Sequence, residues 1–91
     1  MKNKIFYLSP EKFNIYQELL KEDYIVLHGK KEDAKFYKLA KEFKYIPITF
    51  KQMLKEMEKD GVVKIERKNH SMYFSAIKEI SVTRKIIMPL L

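Results

Sequence analysis

Apolar residues recur every three or four positions before Gly61 and every second position after it. A period of about 3.6 residues predicts helix, and a period of two predicts strand. Phe13, Tyr16, Leu19 and Leu20 carry the helical period. Ser9-Pro10-Glu11 just ahead of them supplies an N-cap hydroxyl, a proline suited to the first helical position and an acid in the first turn. A first helix is therefore expected from about Pro10 to Lys21. A second is expected from near Lys31 to near Phe43, with Phe36, Tyr37, Leu39, Ala40 and Phe43 on one face and Lys35, Lys38 and Lys41 opposite. Lys44-Tyr45-Ile46-Pro47 interrupts it, because the residue before a proline is pushed out of the α region. A third helix is expected from about Ile48 until just before Gly61, a residue type suited to the position past a helix end. Phe50, Met53, Leu54 and Met57 form its apolar stripe, and Thr49, Gln52, Lys55, Glu56 and Lys59 lie on the other side.

Beyond Gly61, Val63 and Ile65 alternate with Lys64 and Glu66, and Met72, Phe74 and Ala76 alternate with Tyr73 and Ser75. Between them Arg67-Lys68-Asn69-His70-Ser71 makes a polar tip in which Asn tolerates a left-handed turn, so the region predicts a β-hairpin. Three segments stay open at this level. Ile5 to Leu8 fits a strand or a lead-in. Tyr24 to Leu27, ended by Gly29, fits a short strand or an extended linker. Ile77 to Leu91, rich in Ile, Val and Leu, fits helix and strand equally. No internal repeat or low-complexity linker divides residues 1–91, which are taken as one α+β domain.

Composition narrows the functional classes. A chain of 91 residues leaves little room for a deep cleft beside its core. Without cysteine it has no disulfide, thiolate zinc site or thiol nucleophile. The apolar run after the first lysines is short for a secretory signal and nothing approaches a membrane span, so a cytoplasmic protein with no membrane partner is expected. His28 and His70 lack a second histidine at metal-ligand spacing, and no phosphate loop, zinc-protease motif or nucleophile elbow occurs. No enzyme, metal or cofactor is expected. The net charge of +7 instead favours a polyanion. From Lys30 to Lys68 there are 12 basic and 7 acidic residues, an excess of +5, so most of the imbalance lies in the last two helices and the hairpin.

The order of helix, short strand, helix, tight turn, helix and hairpin resembles the winged helix-turn-helix, over roughly Phe13 to Ile77. The resemblance is most specific in Met53-Leu54-Lys55-Glu56-Met57-Glu58-Lys59-Asp60-Gly61-Val62-Val63-Lys64-Ile65, followed by Tyr73-Phe74. Bacterial and archaeal regulators of this kind show a helix with spaced apolar residues, a glycine, and β-branched residues opening a wing. The resemblance implies a three-helix core with a two-stranded wing and sequence-specific binding of double-stranded DNA. A helix of about residues 48–60 would lie in the major groove, and a wing of about 62–77 would meet the backbone or a minor groove. Thr49, Lys51, Gln52 and Lys55 are the candidate base readers; Lys44, Lys59, Arg67, Lys68 and His70 complete the candidate contact set. Gln can pair bidentately with adenine, and Lys can approach guanine or phosphate. Glu56, Glu58 and Asp60 dilute this basic face, and surface lysines are commonly no more than solvated charge. The thiol-based metal sensors of the ArsR family are excluded by composition, and the aspartate-arginine wing signature of many MarR-type regulators is missing from Arg67 to Ser71.

The leading expectation is a transcriptional regulator acting as a homodimer. One alternative is a plasmid or phage segregation adaptor of the TubR type, which would recruit a filament-forming GTPase. Another is a winged-helix module that binds protein. The dimer interface is expected from the apolar chain ends: Ile5, Phe6, Tyr7 and Leu8 at one end, and Val82, Ile86, Ile87, Met88, Leu90 and Leu91 as an apolar C-terminal dimerisation segment at the other. The competing possibility is a tail that packs back on the first helix.

Overall fold

A computed structural model of the chain describes residues 4–28 and 33–85. Its elements run β1 (Ile5–Leu8), α1 (Pro10–Leu20), β2 (Ile25–Leu27), α2 (Ala34–Glu42), α3 (Pro47–Lys59), β3 (Val63–Lys68), β4 (Ser71–Ala76) and β5 (Ser81–Arg84). The helix ends follow local chemistry. Ser9 caps α1, its hydroxyl oxygen accepting from the Lys12 backbone N–H at 3.3 Å, with Pro10 in the first helical position. α2 and α3 both close with paired backward hydrogen bonds of the Schellman kind. In α2 the N–H of Lys44 donates to Lys41 O and that of Tyr45 to Ala40 O. In α3 the N–H of Gly61 donates to Glu58 O and that of Val62 to Met57 O. The left-handed position is Lys44 (φ 62°) in the first and Gly61 (φ 88°) in the second.

The start expected for α2 near Lys31 lies outside the described residues, and Asp33 occupies the N-cap position. Its carboxylate does not cap the helix. It accepts from the His28 backbone N–H at 2.9 Å, tying the end of β2 to the start of α2. α3 begins one residue earlier than expected, at Pro47. Ile46 supplies no capping side chain. The entry is held instead by Tyr45 stacking on Phe50, ring centroids 6.4 Å apart, as in a hydrophobic staple.

The strands form two sheets. β2, β4 and β3 lie in that order, antiparallel throughout. The segment left open at Tyr24 to Leu27 is thus partly a strand, and all three residues of β2 are buried. β3 and β4 pair from Val63↔Ala76 to Lys68↔Ser71, leaving a two-residue turn with Asn69 at φ 56°. Val63, Ile65, Met72, Phe74 and Ala76 point into the core, and Lys64, Glu66, Lys68, Tyr73 and Ser75 lie on the other face. The second sheet pairs the two chain ends: β1 and β5 run parallel, Ile5 opposite Ser81 and Leu8 opposite Arg84. The Lys85 N–H extends the ladder to Leu8 O at 2.7 Å.

This pairing corrects the picture of chain ends left free for a partner. Leu8 is buried, and Phe6, Ile80 and Val82 pack against the core. Only the outward alternates of β1, Ile5 and Tyr7, stay exposed. The reason is the period of two, which sends every second side chain inward once a strand is laid on the domain. Ile86, Ile87, Met88, Leu90 and Leu91 lie outside the described residues.

The core gathers around three fully buried rings, Phe36, Phe50 and Phe74. Phe36 meets Phe50 edge-on at 5.2 Å and Phe74 at 5.7 Å. α1 contributes Ile15 as well as Tyr16 and Leu19, a wider apolar arc than its periodicity predicts, because it packs against β4 and against both terminal strands. The Tyr16 hydroxyl donates to Ile77 O at 2.6 Å, pinning the chain where it leaves the hairpin, and burial pushes this phenol's pKa up. Tyr37, placed on the buried face of the second helix by its spacing, is instead exposed.

Gly61, between α3 and β3, lies against the Phe6 ring of β1. A Cβ there would stand 3.0 Å from Cε2 of Phe6, at a backbone φ that L side chains disfavour. Gly61→Ala should therefore destabilise the fold by about 1–2 kcal/mol. Urea unfolding should show a lower midpoint with an unchanged slope, and an unmoved midpoint would refute this account of the turn.

Candidate nucleic-acid interface

Phe50, Leu54 and Met57 are buried and fix which side of α3 faces the core. A helix turns about 100° per residue, so Ile48, Gln52, Lys55 and Lys59 fall on the side opposite them. Thr49, Gln52 and Lys59 are exposed, Lys55 is half-buried, and Lys51 is half-buried on the flank. Five of the nine candidate residues thus lie on α3 outside its fully buried stripe. Lys44 lies exposed in the turn that precedes it. Lys44, Lys51, Lys55 and Lys59 make no ion pair among the described residues.

The acids that dilute this face are engaged. Lys12 of α1 reaches Glu56 at 3.1 Å and Asp60 at 3.3 Å. Burial pulls the Lys12 pKa down, but the hydrogen bonds and charges of Glu56 and Asp60 outweigh it and hold the ammonium above its usual range. Glu58 stands 3.9 Å from the Arg67 guanidinium. Glu56, Glu58 and Asp60 therefore each have a cation beside them, while Lys51, Lys55 and Lys59 make no ion pair among the described residues.

The hairpin splits the remaining candidates. Arg67 shares the inward alternation of Val63 and Ile65 and turns toward the last turns of α3. Lys68 shares the opposite face with Lys64 and Glu66. Glu66 lies 2.9 Å from Lys64 and 3.7 Å from Lys68, and these two cations, Lys64 foremost, hold its carboxyl below the usual range. Neighbours in sequence, Arg67 and Lys68 thus serve different surfaces, a consequence of the pleat. His70 is exposed at the turn.

Sequence reasoning missed two features. Lys12 lies in the first helix, far along the chain from the acids it meets, so no local pattern marks it. In sequence Ile48 marks only the start of a helix, yet it is 71% exposed and lines a shallow cleft of about 200 Å³ with Leu27, His28, Tyr37, Pro47 and Lys51. The exposed side of α3 carries Lys51, Lys55 and Lys59, the first of them lining this cleft. Among the described residues, no group of three or more His, Asp or Glu is placed to hold a metal ion, and no helix is long and apolar enough to cross a membrane. No protein-family model, curated protein or solved structure matches this chain.

Proposed function

We propose that this chain is a winged helix-turn-helix protein that binds double-stranded DNA, with α3 in the major groove and the β3–β4 hairpin against the backbone. The observation that carries the reading is the charge sorting on α3. Its outward face offers Gln52 with Lys51, Lys55 and Lys59 unopposed, while Glu56, Glu58 and Asp60 are each countered by Lys12 or Arg67. The topology supports it: the strand between the first two helices joins the hairpin in the order β2-β4-β3, leaving α3 with one face on the core and one clear. A B-DNA major groove about 12 Å wide admits a helix whose outer side carries no core duties.

Binding should weaken steeply with salt, with a log–log slope of about −0.9 for each phosphate neutralised. Fluorescence anisotropy with a labelled duplex across a salt series measures it. A flat response, or no binding at low salt, would sink the DNA reading.

Base readers and backbone contacts should separate. Gln52→Ala is expected to cost roughly 1–3 kcal/mol on a selected site and relax specificity at one base pair. Lys68→Ala, on the far face of the hairpin, should weaken all duplexes alike and reduce the salt slope by about 1. Equal losses on selected and random DNA from Gln52→Ala would remove its role as a reader.

As a transcriptional regulator the chain would act as a homodimer, since one domain of this size spans a single half-site and a two-fold site places centres about 34–36 Å apart. The exposed alternates of β1, Ile5 and Tyr7, offer an apolar contact surface. Truncation after Ser81 would strip β5 from β1, so paired substitutions test the interface more cleanly. Sedimentation at tens of micromolar, where a dimer of ~1 μM affinity would form, should show a dimer that Ile5→Lys with Tyr7→Lys converts to a folded monomer. A wild-type monomer would refute dimerisation.

A further inference from the structure

Ile48 is the most exposed large apolar residue among the described residues, and Ile46, just ahead of α3, is 66% exposed. Neither serves the core. The inner stripe of α3 is complete with Phe50, Leu54 and Met57, all fully buried. Ile48 belongs instead to the outward row, one helical turn before Gln52 and continuous with Lys55 and Lys59. A large β-branched side chain in the first turn of a helix, facing water and bordering a cleft, calls for an occupant.

The surroundings restrict what that occupant is. Lys44 just before α3 and Lys51 and Lys55 along it have no ion-pair partner among the described residues. A second copy of the same face would bring lysine against lysine. A neutral apolar partner would leave those charges in place with nothing to answer them. The surface fits a polyanion that carries isolated apolar groups among its charges. The major groove of DNA is such a surface, and the thymine 5-methyl is the apolar group its base edges display.

We infer that Ile48 is a specificity-determining residue that packs on a thymine 5-methyl within two base pairs of the adenine read by Gln52. This rests on the DNA-binding reading above and adds the base class that α3 selects. One helical turn rises about 5.4 Å, between one and two base-pair rises of about 3.4 Å, so Ile48 and Gln52 address neighbouring steps rather than one. Gln pairs with adenine N6 and N7, and an aliphatic side chain excludes water from the methyl beside it. The two residues together favour an A·T-containing core half-site.

The test begins with selection from random duplexes by the full chain. The selected site then has each thymine replaced singly by deoxyuridine, which removes only the 5-methyl. Wild type should lose on the order of fourfold in affinity at one position, the factor expected for one buried methyl. Ile48→Ala should lose a similar factor on the thymine site and become indifferent to uracil at that position. Because Ile48 is exposed, its thermal unfolding should match wild type. Wild type indifferent to every thymine replacement on a site it binds specifically would overturn the inference and leave DNA binding standing. An undiminished uracil penalty in Ile48→Ala would show the methyl is read elsewhere and also overturn it. Failure to bind any duplex at low salt would remove both readings.

Discussion

The ring of Phe36 is the constraint on which the rest of the structure depends. It is fully buried and touches Phe50 of α3 and Phe74 of β4, so one side chain of α2 joins the third helix to the sheet. Phe50 is also stacked by Phe43 at 6.3 Å and by Tyr45 at 6.4 Å. With rings on several sides, α3 cannot rotate about its axis without breaking aromatic contacts, and its rotation decides which residues face water. Removing one such ring costs about 3–5 kcal/mol, a large part of the roughly 5–15 kcal/mol that keeps a domain folded. The outward row of Ile48, Gln52, Lys55 and Lys59 is thus set from inside, by residues that never reach the surface.

Charge is sorted by the same packing. α1 lies where Lys12 meets Glu56 and Asp60, and β3 lies where Arg67 meets Glu58. Exposed or half-exposed pairs of this kind add little to stability. Their consequence is the pattern of what remains: the acids near the end of α3 are countered, and Lys44, Lys51, Lys55 and Lys59, spread along the helix and the turn before it, have no ion pair among the described residues. A formal count along the chain blurs this, because it weighs a paired lysine and a free one equally. If α3 meets DNA as proposed, these free lysines lie along the helix that also carries Ile48, Thr49 and Gln52.

The terminal strands show how a marginal element becomes stable. A parallel pair of four-residue strands would not hold in water on its own. Here Phe6 packs on Gly61 and Leu8 enters the core, while Val82 packs against it from β5. The glycine past α3 therefore does more than end a helix: its bare Cα also admits the aromatic ring of a strand from the other end of the chain. The alternate side chains Ile5 and Tyr7 are left outside as a by-product of the same two-residue period.

What the sequence by itself determined are the features that short-range chemistry dictates. Ser9-Pro10 starts α1, Gly61 follows the end of α3, the alternation after Val62 makes β3 and β4, and Asn69 sits in a left-handed turn. Each depends on residues within a few positions, so a pattern suffices. The exposure of Thr49, Gln52 and Lys59 was legible for the same reason, since the stripe of Phe50, Leu54 and Met57 fixes the opposite face. Only the tertiary structure decided matters that depend on which elements meet. β1 pairs with β5 across nearly the whole chain, and β2 becomes a strand because β4 offers it hydrogen bonds. Ile15 is buried because α1 meets β4 and both terminal strands, while Tyr37 is left outside. Arg67 and Lys68 part company across the pleat, and Lys12 finds acids far along the chain. Periodicity reports which side of an element is apolar, but hydrogen bonds between strands and ion pairs between helices are made by distant segments, and only folding brings those together.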